Sequence, residues 1–227
     1  MTRRCWLPMS LGKCVVIALG IVLPVVSGAS AEQPRANPGG DEQGFVPLFD
    51  GKSLTGWEGN EKLFRVEQGA IVGGSLKERI PHNEFLCTMR EFGDFELRLK
   101  FKILGKGANA GVQFRSQRIA DHHEMIGYQA DLGEGWWGCL YDESRRRKIL
   151  AGPEKPQRGK IVNQGEWNDY RILCEGPRIQ LWINGTQTVD YTEPDDSIAQ
   201  SGHIALQIHG GPPSEAWYKE IRIKQLP

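Results

Sequence analysis

"RIQLWINGTQTVDYT", residues 178–192, decides the fold class of this chain. On each side of Asn184-Gly185, apolar and polar residues alternate with a period of two, the pattern of a strand with one buried face. Asn and Gly both tolerate positive φ, so the pair is a strong signal for a two-residue hairpin turn. The stretch predicts two antiparallel strands joined by a tight turn.

The same alternation continues through the chain from Phe45 onward, with turn residues as separators and no convincing helical periodicity. Further strands are predicted at "FELRLKFKI" (95–103), "AGVQFRS" (110–116), "MIGYQADL" (125–132), "DYRILCEG" (169–176), "HIALQIHG" (203–210) and "EIRIKQL" (220–226), with shorter ones near 46–49, 64–66, 70–72 and 85–88. About a dozen short strands without helices predict an all-β, two-sheet antiparallel sandwich. We find no internal repeat of the kind that would favour a propeller.

The start of the chain predicts export. A basic beginning, the apolar run Cys14–Gly28 and the small residues Ala29-Ser30-Ala31 have the order of a cleavable signal peptide over residues 1–31. The run is shorter than the roughly 20 residues of a spanning helix, although an uncleaved anchor is the alternative. Residues 32–43, rich in Pro, Gly and charge, are expected to be a flexible lead-in to one domain at 44–227.

Charge and cysteine content exclude several classes of protein. Lys plus Arg equals Asp plus Glu, at 28 each, so the chain has no net field to attract nucleic acid or, after signal cleavage, an anionic membrane. Cys87, Cys139 and Cys174 follow the leader, each in an apolar strand-like run. They allow at most one internal disulfide, or all three are small core residues.

Alternation also predicts which side chains share a face. In three strands, the positions opposite the apolar ones hold polar pairs, namely Gln113 with Arg115, Gln129 with Asp131, and Gln207 with His209. If the strands are neighbours, these six side chains form one patch of amides, a cation, a carboxylate and an imidazole. Such groups hydrogen-bond sugar hydroxyls; the alternative is an ordinary solvated face.

"GYQADLGEGWWGCLYDES", residues 127–144, adds aromatic groups to this patch. Trp136 and Trp137 lie in a glycine-rich turn, and a short strand with Tyr141 and Glu143 follows. Indoles can stack on the apolar face of a pyranose, and glycines let the backbone approach a ligand. One of the two tryptophans could instead plug the end of the sandwich.

Metal and cofactor chemistry has one candidate segment, Asp121-His122-His123-Glu124. Adjacent residues in an extended chain point in opposite directions, which favours a solvated loop. One of the four could still join Asp131 or His209 around a divalent ion, so a metal stays open. The sequence has no nucleophile elbow, phosphate loop or dinucleotide fingerprint. It therefore predicts no definite cofactor, and a divalent metal ion is the one possibility left open.

"FVPLFDGKSLTGWEG" (45–59) resembles the opening of the 3-keto-disaccharide hydrolase family. "NAGVQFRS" (109–116), "GEWNDYRILCEG" (165–176) and "GHIALQIHGG" (202–211) follow in the family's order, and the resemblance extends to Leu226. It implies a jelly roll of the concanavalin A-like lectin and glucanase type, with sugar bound on the concave sheet. It also implies a secreted or periplasmic bacterial protein that cleaves glycosides carrying a ketone at C3 of glucose.

That chemistry assigns roles to the candidate residues. A C3 ketone acidifies the C2 hydrogen, so the site needs a base at C2, an electrophile at the C3 oxygen and help for the leaving C1 oxygen. His209 or Asp131 would be the base, and Arg115 or a divalent ion the electrophile. The remaining candidates would orient hydroxyls, pack on the ring or hold a reserve proton: Gln113, Gln129, Gln207, Trp136, Trp137, Tyr141 and Glu143.

Two other functions remain open from the sequence. A non-catalytic, lectin-like module would use the same face to bind a small saccharide or oligosaccharide. A conventional glycanase of the same fold would need two carboxylates within reach of each other, Asp131 with Glu134 or Glu143 being the candidates.

Overall fold

A computed structural model describes residues 42–227. The expected signal peptide and residues 32–41 of the expected lead-in lie outside the described residues. Within them the chain forms these elements: β1 (Val46–Pro47), β2 (Trp57–Glu58), β3 (Phe64–Glu67), β4 (Ala70–Ser75), β5 (Glu84–Phe92), β6 (Phe95–Leu104), β7 (Asn109–Arg118), β8 (Met125–Gly133), β9 (Leu140–Glu143), β10 (Ile149–Ala151), α1 (Lys155–Arg158), β11 (Asn168–Glu175), β12 (Arg178–Ile183), β13 (Thr186–Thr192), β14 (Gly202–Ile208) and β15 (Ser214–Gln225).

The strands form two antiparallel sheets. Sheet A has the order β13-β12-β11-β6-β15-β4-β3, with β1 also paired to β15, and sheet B has the order β10-β9-β8-β7-β14-β5-β2. The all-β, two-sheet antiparallel sandwich expected from the alternation is confirmed. The short α1, which has proline at its start, is the one helix in residues 42–227, and none of the described helices has the length and apolarity to cross a membrane.

The hairpin at Asn184-Gly185 forms as its sequence predicts. Ile183 of β12 pairs with Thr186 of β13, and Asn184 and Gly185 have φ of 49° and 79°. Asn184 also accepts a hydrogen bond from the Asp169 backbone N–H, 3.0 Å away. The turn therefore fixes the β12–β13 register and ties it to the start of β11.

The core lies between the inner faces of the two sheets. Val112 and Phe114 of β7 and Tyr128 of β8 pack there with residues of sheet A such as Leu97 and Leu99, all at most 2% exposed. The alternate residues of β7 and β8 consequently point to the other side of sheet B, which we call the outer face. Cys87, Cys139 and Cys174 are buried free thiols, as the core interpretation predicts.

A β-bulge interrupts the alternation of β7. The register with β8 shifts between Phe114 and Gln117, and Arg115 adopts a left-handed φ of 45°. Because a bulge inserts one extra residue, Ser116 takes the place on the outer face that strict alternation gives to Arg115.

Candidate functional site

The central strands of sheet B bring four of the predicted polar residues together. Gln207 of β14 pairs with Gly111 of β7, which pairs with Asp131 of β8. In the next row, Gln113 of β7 pairs with Gln129 of β8. The pairing of the strands and their pleat therefore place three amide side chains and one carboxyl side by side on the outer face.

A chain of hydrogen bonds orders these side chains. Ser116 Oγ donates to Gln113 Oε1 at 2.5 Å, and Gln113 Nε2 donates to Gln129 Oε1 at 3.0 Å. Gln129 Nε2 then donates to Asp131 Oδ1 at 2.6 Å. We call these four residues the amide relay. Each is at most 3% exposed, so the relay is a fixed, dry array.

The relay ends on a carboxyl whose burial favours the neutral form. Burial raises the pKa of Asp131 well above its usual range, and the carboxylate of Glu143 raises it further. The hydrogen bond from Gln129 and the charge of Arg158 act in the opposite direction without cancelling the effect. With Gln129 bonded at Oδ1, the protonated group can donate through Oδ2.

Gly111 forms a flat floor between Gln207 and Asp131. A Cβ at this position would lie 2.6 Å from Gln129 Cδ and 2.7 Å from its Cγ. The missing side chain therefore lets the Gln129 amide lie across β7.

The connection between β7 and β8, residues 119–124, folds back over part of the outer face; we call it the flap. In sheet B, β7 and β14 separate β8 from β5. Yet Met125 packs with Phe85 of β5, and Asn83 Nδ2, just before β5, donates to Glu124 Oε1 at 2.9 Å. These contacts require the flap to cross over β7 and β14, and the flap also approaches β9, since the Glu124 carboxylate acts on Glu143.

Gln207 lies next to the flap contact, opposite Phe85 in the pairing of β14 with β5. Its side chain is completely buried, and neither end of the amide has a hydrogen-bond partner among the described residues. A buried amide without partners is costly, which is a reason to associate it with a ligand or with flap movement.

One wall of the outer face comes from β9 and the turn before it. Tyr141 pairs with Gln129, and the ring of Trp136, 38% exposed, meets Tyr141 edge-on at 5.8 Å. Glu143 lies opposite Gly127, two residues further along β9. Burial raises the pKa of Glu143, and the flap carboxylate of Glu124 adds to this effect.

His209 follows directly after β14 and is exposed at the edge of the face. Its backbone N–H donates to Asn109 O at 3.1 Å, which continues the pairing with β7 by one residue. Its Nδ1 lies 2.7 Å from Gly210 O. Because a carbonyl oxygen only accepts, Nδ1 is the donor in this hydrogen bond, and Nε2 is the nitrogen that has the lone pair in the neutral form of this tautomer.

Arg115 does not lie on the outer face, and its predicted placement there is wrong. Its guanidinium donates to Gly93 O at 3.1 Å, Gly176 O at 2.7 Å and Asp94 Oδ1 at 2.7 Å, and its side chain is 1% exposed. The bulge turns the side chain away from the relay and into the β5–β6 and β11–β12 turns. Sequence alternation gave no signal of this bulge, so it missed Ser116 as the fourth member of the relay.

The two tryptophans of the glycine-rich turn face different ways. Trp136 reaches Tyr141, whereas Trp137 stacks on Phe101 of the core at 6.2 Å and is 8% exposed. Trp137 is therefore the plug that the alternative interpretation anticipated. Between residues 42 and 227, no group of three His, Cys, Asp or Glu side chains is arranged to hold a metal ion.

This two-sheet sandwich with one amide-rich outer face is of the concanavalin A-like lectin and glucanase type. The chain belongs to the family described as the 3-keto-alpha-glucoside-1,2-lyase-like domain, whose profile matches residues 44–224. A 3-keto-disaccharide hydrolase of Bacteroides thetaiotaomicron is 23% identical, over 82% of this chain and 80% of the relative. The resemblance seen in the sequence motifs is thereby confirmed.

Solved structures agree on the fold. A glycosyl hydrolase candidate from Parabacteroides distasonis superposes with a TM-score of 0.62 at 23% identity, covering 81% of this chain and 94% of the other. A β-glucanase of Bacillus licheniformis gives 0.52 at 12% identity, with 82% and 100% coverage. The carbohydrate-binding module CBM66 of Bacillus subtilis gives 0.58 at 16% identity, with 77% and 98% coverage.

Proposed function

We propose that this chain is an exported enzyme that cleaves 3-keto-glycosides by removing the proton at C2. The observation that carries the proposal is the amide relay, which ends on the buried carboxyl of Asp131, whose pKa is raised, while His209 follows Gln207 by two residues at the end of β14 and bonds to Asn109 of β7. Family membership supplies the substrate class, a saccharide with a ketone at C3. Export rests on the leader sequence at residues 1–31.

The substrate unit that we propose for this face is a single pyranose between β14 and β8. β14 and β8 flank β7, so their backbones are about 10 Å apart at the usual strand spacing of about 4.8 Å. Gly111 leaves the floor between them flat. The ring would lie above the Gln129 amide, with its apolar face toward Trp136 and its hydroxyls toward Gln129 and Gln207.

Proton abstraction uses His209 as the base and Asp131 as the hydrogen-bond donor. His209 Nε2 takes the C2 proton, and the C2–H electrons form the C2–C3 double bond of an enolate. Asp131, whose pKa is raised by burial, donates a hydrogen bond from its protonated form to the C3 oxygen as negative charge develops there. Asp131 thereby takes the electrophilic role that the sequence had given to Arg115.

Elimination completes the bond cleavage. When the enolate restores the C3 carbonyl, a double bond forms between C1 and C2 and the C1–O1 bond breaks. Tyr141, whose pKa is raised by burial and then by the carboxylate of Glu143, keeps its proton and passes it to the leaving oxygen. Water then adds its oxygen to C1 and gives a proton back to the Tyr141 phenolate, while His209, whose proton exchanges with the solvent, protonates C2. The overall reaction is a hydrolysis.

A glycanase mechanism fits the geometry less well. Glu143 pairs with Gly127, four residues from Asp131 along β8, so the two backbones are separated by about 13 Å along the strand. Paired carboxylates of glycosidases are about 5–9.5 Å apart. Glu143 and the flap Glu124 instead border the place of the aglycone.

The test is release of the aglycone from a 3-keto-glucoside and from its unoxidised parent, each with EDTA and with an added divalent metal. The purified chain should release it from the keto substrate alone. His209→Ala should abolish release and retain binding. His203→Ala is the matched control, a histidine at the other end of β14 that bonds Thr88 O. Release from the parent would contradict the proposal, and binding without release would make the protein a saccharide-binding module.

A further inference from the structure

Residues 80–83, the segment just before β5, lie between two parts of the candidate site; we call this segment the junction. On one side the junction contacts residues 209–211, the loop that begins with His209. On the other side it contacts the flap, through Glu124 and His123. The junction therefore connects the flap to the residue that would act as the base.

Three contacts fix the loop on the junction. Ile80 and Gly211 form an isolated antiparallel β-bridge, with N–H···O distances of 3.0 Å and 2.9 Å in the two directions. Asn83 Oδ1 accepts a hydrogen bond from the Gly210 backbone N–H at 3.0 Å. A Cβ on Gly210 would lie 2.7 Å from His82 Cα, so the two backbones are in direct contact and no larger residue fits between them.

The direction of the His209 imidazole depends on the peptide groups on either side of Gly210. His209 Nδ1 donates to Gly210 O, and that carbonyl shares a planar peptide group with the Gly211 N–H. The bond from Gly211 N–H to Ile80 O therefore fixes the carbonyl. The preceding peptide group, which joins His209 to Gly210, is bonded to the Asn83 side chain. Because glycine restricts backbone rotation least, the Asn83 bond limits the rotation of one group against the other.

The Asn83 side chain uses its other end on the flap. Its Nδ2 donates to Glu124 Oε1 at 2.9 Å, while Glu124 Oε2 is buried without a hydrogen-bond partner among residues 42–227. Beside this bond, the His123 ring stacks on His82 with 4.1 Å between the centroids. The junction thus holds the flap by one hydrogen bond and one ring stack. Loss of the hydrogen bond should let the flap open more often.

We propose that Asn83 is a positioning residue for the reaction, because one amide holds both the loop of His209 and the flap. This inference rests on the proposed function, in which His209 is the base. The two partners fix the orientation of the amide, since the Gly210 N–H only donates and the Glu124 carboxylate only accepts. The closed flap thereby keeps Asn83 Oδ1 turned toward Gly210, so closure of the flap and orientation of His209 go together.

Three variants of the full chain separate the two bonds at pH 8. Asn83→Ala removes both. Asn83→Asp keeps an oxygen for the Gly210 N–H but sets a carboxylate against Glu124, so it removes the flap bond alone. Adding Glu124→Gln to Asn83→Asp restores the flap bond with its direction reversed, because the amide at position 124 then donates to the carboxylate at position 83. Asn60→Ala is the matched control, since Asn60 also donates to a carboxylate, Glu84 Oε1 at 3.0 Å, in a bond that involves neither the flap nor His209.

Two measurements follow the two ends of the amide without turnover. In the ¹⁵N spectrum of the five histidines, the His209 signal, assigned with His209→Gln, should show the neutral tautomer protonated at Nδ1. Asn83→Ala should average this signal toward both tautomers, and Asn83→Asp should preserve it. Amide hydrogen exchange at residues 119–124 should accelerate at least about fivefold in both single variants and return to the wild-type rate in the double variant.

Turnover of a 3-keto-glucoside then tests the role in the reaction. Asn83→Ala should lower kcat at least about tenfold, because the base is no longer held in place. Asn83→Asp should mainly raise KM, because the open flap no longer borders the aglycone, and the double variant should recover it. Asn60→Ala should match the wild type in all three measurements.

Two results would overturn the proposal. One is full kcat in Asn83→Ala, and the other is a His209 signal that Asn83→Ala leaves unchanged. If the wild type released no aglycone, the proposed function would fail, and with it the role in the reaction. The tautomer signal and the hydrogen exchange would still decide whether Asn83 joins the flap to His209.

Discussion

Replacing Arg115 with alanine should lower the stability of the folded protein. It should not change the chemistry at the amide relay, because Arg115 does not contact it. The guanidinium loses three hydrogen bonds, to Gly93 O, Gly176 O and Asp94. Breaking a buried charge pair costs about 3–5 kcal/mol, and Asp94, 29% exposed, recovers part of its hydration. We therefore expect the free energy of unfolding to fall by about 3 kcal/mol. Alanine keeps the left-handed backbone at this position, so the loss reports the side chain.

Urea and thermal unfolding measure this effect, with Arg178→Ala as the control. Arg178 pairs with Asp190 on the surface, where both side chains are about half exposed, so its loss should change stability little. A loss of 3 kcal/mol in a domain of this size lowers the melting temperature by roughly 6–12 °C. If Arg115→Ala kept wild-type stability and lost only turnover, Arg115 would act on substrate and the reasoning from its contacts would be refuted.

Four further predictions follow from the site and its surroundings. Gly111→Ala places a Cβ against Gln129, so cleavage should be lost while urea unfolding shows a cost of about 1–3 kcal/mol; unchanged turnover would contradict the flat floor. Asp131 binds its proton more tightly when folded, so wild-type stability should fall as pH rises above about 4. Asp131→Asn should remove this dependence in urea unfolding between pH 5 and 9, and parallel profiles would contradict the raised pKa. Trp136→Ala should weaken keto-glucoside binding roughly 2- to 10-fold in calorimetry, and equal affinity would remove its stacking role. Burial alone would raise the pKa of Glu193, but hydrogen bonds from Arg146 and Tyr128 lower it to about 2. The ionised Glu193 should therefore stabilise the fold fully above about pH 4.3, and this stabilisation should disappear toward pH 2. Glu193→Gln should lose this acid-dependent part of the free energy of unfolding.

Most of the fold could be predicted from sequence because the alternation of apolar and polar residues shows which face of each strand is buried. The strand at residues 95–103 and the hairpin around Asn184 appear almost as predicted, since one face of each strand is apolar without interruption. The strands β2 and β10 and the helix α1 were not predicted. Each has two to four residues, too few to display a period.

The candidate site could be predicted only where the strands are regular. Gln113, Gln129 and Asp131 lie on adjacent regular stretches, so the period of two places them correctly. The predicted placement of Arg115 was wrong because a bulge moves its side chain off the outer face, and a bulge does not alter the hydrophobic pattern of the sequence. The flap contact of Glu124 with Asn83 joins residues 41 apart in the chain. Such a long-range contact cannot be predicted from the pattern of neighbouring residues.

The most direct test of the central claim is the rate of aglycone release from a 3-keto-glucoside deuterated at C2, measured against the undeuterated substrate. If His209 removes the C2 proton in the rate-limiting step, the deuterated substrate reacts more slowly, and product formed in heavy water carries deuterium at C2. Equal rates, together with product that keeps its original C2 hydrogen, would contradict proton abstraction and with it the roles of His209 and Asp131.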